Sequence, residues 1–243
     1  MREIACVGAP RTLLLAELGD SRQPVVTISA GIHGDEPAGV WALLSLAADG
    51  LLDPRYAYRL WPCFNPTGFE AGTRTNAEGT DINRTFGRGG SSPEAQAILT
   101  ANRDRKFALS IDLHEDHEAD GFYLYETASA GHRSTYAGPV TAALGAAGFP
   151  LQPLAPDYDL GPPGSESAQT RGLGAVVVDA PRETPFYGSA LPLGLVLVRR
   201  AAPCALTFET PRLRPAGERV AMHRVAVVEA LRRLSSEGKP HDA

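Results

Sequence analysis

Residues 24–48 read PVVTISAGIHGDEPAGVWALLSLAA, and how they are read decides the fold. An apolar, β-branched run over 25–30 gives way to an Ala/Leu-rich run over 36–48, the pattern of a buried strand turning into a helix. Pro37 stands near the start of the second run, where a missing N–H costs a helix nothing. Between the runs lie His33, Asp35 and Glu36 at a glycine-rich corner. Two readings are open here. Asp35 or Glu36 caps the helix, or His33 and Glu36 hold a metal ion.

The same alternation continues outward. Strands are predicted over 25–30, 56–61, 107–113, 121–125, 175–178 and 205–208, and helices over 36–48, 93–103, 135–147 and 217–234. Such alternation predicts an α/β protein with a central, mostly parallel sheet flanked by helices. Two long loops are expected, over 65–92 and 156–174, and loops of that length in a compact domain are usually functional. There is no repeat and no linker, so residues 1–243 read as one catalytic domain with a tail fraying from about 235.

Bulk properties narrow the function classes. Hydrophobic residues make up 43% and charged residues 21% of the chain, ordinary for a globular protein. A net charge of −5 argues against nucleic acid or an anionic membrane as the main partner. No apolar run approaches the roughly 20 residues that span a bilayer. The N-terminal apolar run is interrupted or flanked by Pro10, Arg11 and Glu17 and does not read as a signal peptide. Cys6, Cys63 and Cys204 are widely spaced, which fits reduced thiols in the cytoplasm better than a disulfide framework.

Ligands in α/β sheets gather at the carboxyl ends of strands. Three predicted strands end in polar residues: His33 and Glu36 after the first, His114 and Glu115 in SIDLHEDHE (110–118), and Glu209 in CALTFETP (204–211). Two histidines and one carboxylate suit a catalytic zinc with a position left for water. A further carboxylate nearby serves as general base.

The loop NPTGFEAGTRTNAEGTDINRTF (65–86) makes the pattern specific. Over 31–39, 65–86, 112–115 and 207–211 the sequence resembles the zinc carboxypeptidase (carboxypeptidase A-like) superfamily. The resemblance implies that His33, Glu36 and His114 bind Zn2+ and that Arg74 polarises the scissile carbonyl. It implies that Asn83 and Arg84 clamp a substrate carboxylate and that Asp81 orients His33. Glu209 becomes the general base and acid, and Tyr187 or Tyr158 the mobile tyrosine over the substrate. An Arg fork suits a planar carboxylate better than Lys does, and a carboxylate behind a metal-binding His fixes its tautomer.

Among compact bacterial members, TRTNAEGTDINRTF followed by SPEAQAI is most similar to murein peptide amidases. The succinylglutamate desuccinylase and aspartoacylase branch shares the core motifs but carries a β-rich C-terminal domain, whereas 34 residues follow Glu209 here. The expected substrate is a small peptide or acyl-amino acid with a free carboxylate. Cleavage of the amide bond beside that carboxylate is the leading expectation, with a deacylase of N-acyl amino acids and a non-catalytic metal-binding module as alternatives. In the acidic stretch after His114, the residues Glu115, Asp116, His117 and Glu118 are expected to form a solvated acidic loop, with a second cation site or a contact for a cationic substrate group as alternatives. A serine hydrolase would need G-x-S-x-G and a dinucleotide binder G-x-G-x-x-G. Neither PGSESA (163–168) nor AGIHGDEP (30–37) supplies them.

Overall fold

The run at 25–30 forms a strand buried along nearly its whole length, as a central parallel strand must be. The computed structural model describes residues 2–6, 8–87, 90–128, 135–153, 168–170, 174–179 and 189–237. Its strands are β1 (Arg2–Ile4), β2 (Leu13–Leu18), β3 (Val25–Ala30), β4 (Ala57–Trp61), β5 (Leu109–Asp116), β6 (Tyr123–Ala128), β7 (Ala168–Thr170), β8 (Ala175–Asp179) and β9 (Cys204–Pro211). Its helices are α1 (Pro37–Ala48), α2 (Pro66–Ala71), α3 (Pro93–Ala101), α4 (Ala137–Ala146), α5 (Leu193–Arg200) and α6 (Ala216–Glu237), with a 3-10 turn at Ile82–Arg84.

The strands join one sheet in the order β1-β2-β4-β3-β5-β9-β6-β8-β7. Its centre, β4-β3-β5-β9, is parallel. The parallel pair β6 and β8 runs against β9, β2 and then β1 extend one side antiparallel, and β7 forms the antiparallel edge on the other. The sheet is thus α/β with a parallel core flanked by helices, as the alternation predicts. Among the described residues no helix is long and apolar enough to cross a membrane.

The two faces of the central strands differ. Val26, Ile28, Ile111, Leu113, Leu206 and Phe208 pack with residues of α1, α4 and α6 on one side. Successive strand side chains alternate between faces, so Ser29, Asp112, His114, Thr207 and Glu209 belong to the other. On that side a second core gathers Ile32, Trp61, Phe64, Ile98, Leu195 and Ala205.

Several elements depart from the sequence expectations. β2 forms from the N-terminal apolar run, with Leu13 and Leu15 buried and Leu14 exposed. The expected loop over 65–92 contains α2 and the 3-10 turn, and the one over 156–174 contains β7. α5 arises from LGLVLVRR, an apolar run too short for periodicity to tell strand from helix, and it packs against β9 and β6. α6 continues to Glu237, two residues past the point where the tail was expected to fray. There Ser235 donates to Asp53 Oδ2 at 2.9 Å. The three cysteines are free thiols, with Cys6 and Cys204 buried.

Candidate active site

The turn between β3 and α1 depends on two glycines. Gly31 has φ +62°, and a Cβ there would meet Val40 at 2.9 Å. A Cβ on Gly34 would lie 1.9 Å from the backbone of Gly68, so the HGDE and NPTG segments pack backbone on backbone. Asn65 then caps α2 through Gly68 N at 2.9 Å and donates to Arg74 O at 3.2 Å. That bond fixes the start of the loop carrying Arg74. Asn76 holds the loop further along, accepting from Thr80 N at 2.9 Å and donating to the buried Glu94.

Glu36 occupies the N-cap position of α1 but makes no capping bond with its side chain. The capping reading is therefore incorrect for Glu36. Its Oε1 lies 2.6 Å from His33 Nδ1 and its Oε2 lies 2.8 Å from His114 Nδ1. Glu115 N also donates to Oε2, at 3.0 Å. His33, Glu36 and His114 are all buried, and one donor atom from each lies within 4.8 Å of the others.

The remote nitrogens face carboxylates. His33 Nε2 is 3.3 Å from Asp81 Oδ1, and His114 Nε2 is 3.1 Å from Asp112 Oδ2. Asp112 is itself held by Ser29 Oγ at 2.7 Å. The sequence reading missed Asp112, although it stands two positions before His114 and so on the same strand face.

Charge in this cluster is unevenly distributed. Burial opposes ionisation of Glu36, but His114 and His33 outweigh it and bring its pKa down to about 2. Burial also opposes charge on His114, yet Asp112 and Glu36 raise its pKa well above the ordinary value. Three carboxylates around two imidazoles favour a cation. With each Nε2 proton held by a carboxylate, the two Nδ1 lone pairs and Glu36 form a donor set that fits a divalent metal such as zinc.

The remaining side chains line a cleft of about 210 Å³. Arg74 donates to Asp81 Oδ2 at 3.0 and 3.1 Å, and its guanidinium comes within 3.6 Å of Glu36 Oε1. Asn83 Oδ1 accepts from Leu193 N at 3.0 Å, capping α5, while Arg84 is exposed at the cleft wall. Glu209 stands opposite His114 in the β5–β9 register. Burial, opposed by His114 and reinforced by Glu36, Asp116 and Asp112, pushes its pKa up to about 8. No ion pair ties Glu209 to Arg212 or to any other described residue. Tyr125, Thr127 and Thr207 complete the wall. They alternate along β6 and β9, a signal available in the sequence but unused. Tyr187 and Tyr158 lie outside the described residues.

The acidic stretch after His114 divides. Glu115 is buried, not solvated, and Asp116 accepts from Tyr123 at 2.7 Å. His117 and Glu118 are exposed.

Known proteins resemble this chain in sequence and in fold. The model of the succinylglutamate desuccinylase/aspartoacylase catalytic domain matches residues 22–178, which takes in the trio, Arg74, Asn83 and Arg84 but not α5 or β9 with Glu209. Carboxypeptidase SOL1 of Arabidopsis thaliana is 31% identical over 113 residues, covering 38% of this chain and 23% of that protein. Murein peptide amidase A of Escherichia coli is 42% identical over 59 residues, 24% of each chain. The matches thus span about a quarter of these relatives' length. A candidate metallopeptidase from Shewanella amazonensis superposes with TM-score 0.73 at 24% identity, over 96% of this chain and 86% of that one. The tripeptide-bound cell shape determinant Csd4 of Helicobacter pylori gives 0.63 at 16%, over 92% and 55%. These two show a shared fold. The chain belongs to the succinylglutamate desuccinylase/aspartoacylase catalytic-domain family, among carboxypeptidase- and amidase-like hydrolases.

Proposed function

We propose that the protein is a zinc-dependent hydrolase that cleaves an amide bond next to a free carboxylate. The observation that carries this reading is the buried trio of His33, Glu36 and His114, each imidazole backed by a carboxylate, with Glu209 opposite His114. Zinc bound by that trio supplies Lewis acidity, which acidifies a water molecule and polarises the scissile carbonyl. Glu209 accepts the attacking water's proton and returns it to the leaving nitrogen. Arg74, held by Asp81, offers fixed positive charge to the developing oxyanion. Arg84 pairs with the substrate carboxylate, and the Asn83 amide nitrogen supplements it, since the Asn83 oxygen is engaged by α5.

Similarity to murein peptide amidase A and to carboxypeptidases supports a small peptide as substrate, with a cell-wall-type peptide as one candidate. The family match supports a second reading, deacylation of N-acyl amino acids at the same site. The free thiols suit a cytoplasmic enzyme.

A substrate panel on zinc-loaded protein separates the readings: C-terminal dipeptides, γ-D-glutamyl-diaminopimelate peptides and N-acyl amino acids. In the same preparation Glu209→Gln should lower kcat by about 10²–10⁴-fold while keeping its zinc, and His33→Ala should lose zinc. A folded, zinc-loaded Glu209→Gln enzyme with wild-type turnover removes Glu209 from the mechanism. Full zinc occupancy in His33→Ala refutes the metal assignment.

A further inference from the structure

Glu115, next to His114 in the chain, touches both segments that carry the metal-binding trio. Its backbone N–H donates to Glu36 Oε2 at 3.0 Å. Its carboxylate reaches back to the same corner, where Oε1 accepts from Ala38 N in the first turn of α1 at 2.8 Å. Glu115 thus supplies the cap that Glu36 does not. The other oxygen, Oε2, pairs with the Arg219 guanidinium of α6. Arg219 is anchored in turn by donating from Nε to Arg214 O at 2.9 Å.

The exposure of this ion pair, 8% for the Arg219 side chain and 0% for Glu115, decides how it behaves. An exposed pair shifts freely, whereas a buried one holds a single geometry because either charge left alone is poorly solvated. Arg219 also neutralises the buried Glu115 carboxylate, which would otherwise stand uncompensated beside the first turn of α1.

We propose that Glu115, locked by Arg219, is a positioning residue for the metal centre that fixes Glu36 against His114 and thereby sets metal affinity. This rests on the metallohydrolase reading above. Its natural comparison is Glu126, another buried acid at a helix N-terminus. Glu126 accepts from Thr135, Tyr136 and Ala137 N at 2.9, 3.3 and 2.9 Å to cap α4, with no contact to the trio.

The test measures the Zn2+ dissociation constant of metal-free protein by competition with a chromophoric chelator, alongside melting in excess chelator. Glu115→Gln and Arg219→Met should weaken zinc binding about 10- to 100-fold, the usual effect of removing support behind a metal ligand. Arg219→Lys, which keeps the cation, should recover part of that loss. Glu126→Gln should melt earlier yet bind zinc as the wild type does. If Glu115→Gln does not fold, the two Arg219 variants decide. Wild-type zinc affinity in Arg219→Met, with only its metal-free melting lowered, makes the pair a stability element and overturns the proposal. A wild type without zinc affinity overturns the metallohydrolase reading and this inference with it.

Discussion

Arg74 and Arg84 stand ten positions apart on the wall of one cleft, and their tethers give them different work. Arg74 is bonded twice to Asp81, which itself accepts from Asn83 N, so its guanidinium is held beside Glu36. Among the described residues Arg84 makes one hydrogen bond, to Asn83 O at 3.2 Å, and its exposed head is available to a ligand. Arg84→Ala should therefore raise KM about 10- to 100-fold, the equivalent of one charge-assisted bond, with kcat little changed. Steady-state kinetics on a free-acid substrate and its amide check this. The amide should be poor for wild type and indifferent to the substitution, and equal turnover of the two substrates ends the clamp idea. At this scale the sequence was informative wherever residues sat in short motifs, as with His33, Glu36, Asp81 and His114. Asp112 was legible too, by strand period, but a residue known only by its face has no partner until Ser29 and His114 are placed around it. The contacts of Glu115 with Ala38 and Arg219 join positions 77 and 104 apart, and no local pattern announces them.

Helix ends in this molecule are satisfied largely by other elements. The N-termini of α1, α4 and α5 receive Glu115 from β5, Glu126 from β6 and Asn83 from the 3-10 turn. α2 and α3 show the local Asn and Ser caps that sequence rules anticipate. Glu126 is heavily used: among the described residues three backbone N–H groups donate to its fully buried carboxylate. Replacing it with Gln keeps one oxygen but turns the other into a donor facing N–H groups. Glu126→Gln should cost about 1–3 kcal/mol, the desolvation penalty of unmet buried groups. Urea unfolding checks this. An unchanged midpoint refutes the capping role. Ala-rich, helix-favouring runs made α1, α3, α4 and α6 readable to within a few residues. α5 was not readable, because its short apolar run fits strand or helix alike and is held helical by packing and by a cap from residue 83.

On the scale of the whole molecule, titratable groups are buried on both sides of the sheet, Asp112 and His114 toward the cleft and Glu115, Arg219 and His223 among α1 and α6, so stability must respond to pH. Two buried histidines act in opposite directions. His223 on α6 is fully buried, with Nε2 3.2 Å from Thr210 Oγ1. Burial first, then the charges of His114 and Arg219 against that of Glu36, bring its pKa from 6.5 down to about 3. As pH falls below 6.5 the unfolded chain takes up a proton at residue 223 that the folded protein refuses. The stability contribution of His223 is therefore intact above 6.5 and is lost progressively toward 3. His114 has a raised folded pKa, so its contribution grows as pH falls toward 6.5 and is complete below that, outside the window in which His223 acts. Glu36, lowered from 4.5 to about 2, adds its own acid sensitivity only below about 4.5. The comparison that isolates His223 is thus wild type against His223→Gln in excess chelator, with urea midpoints taken between about pH 4.5 and 7.5. Gln can still pair with Thr210 but does not titrate. The variant starts lower or equal at pH 7.5, and its midpoint should fall less steeply, or even rise, as acid is added. Parallel curves for the two proteins show that the His223 proton is not lost on folding and leave the acid limb to other groups.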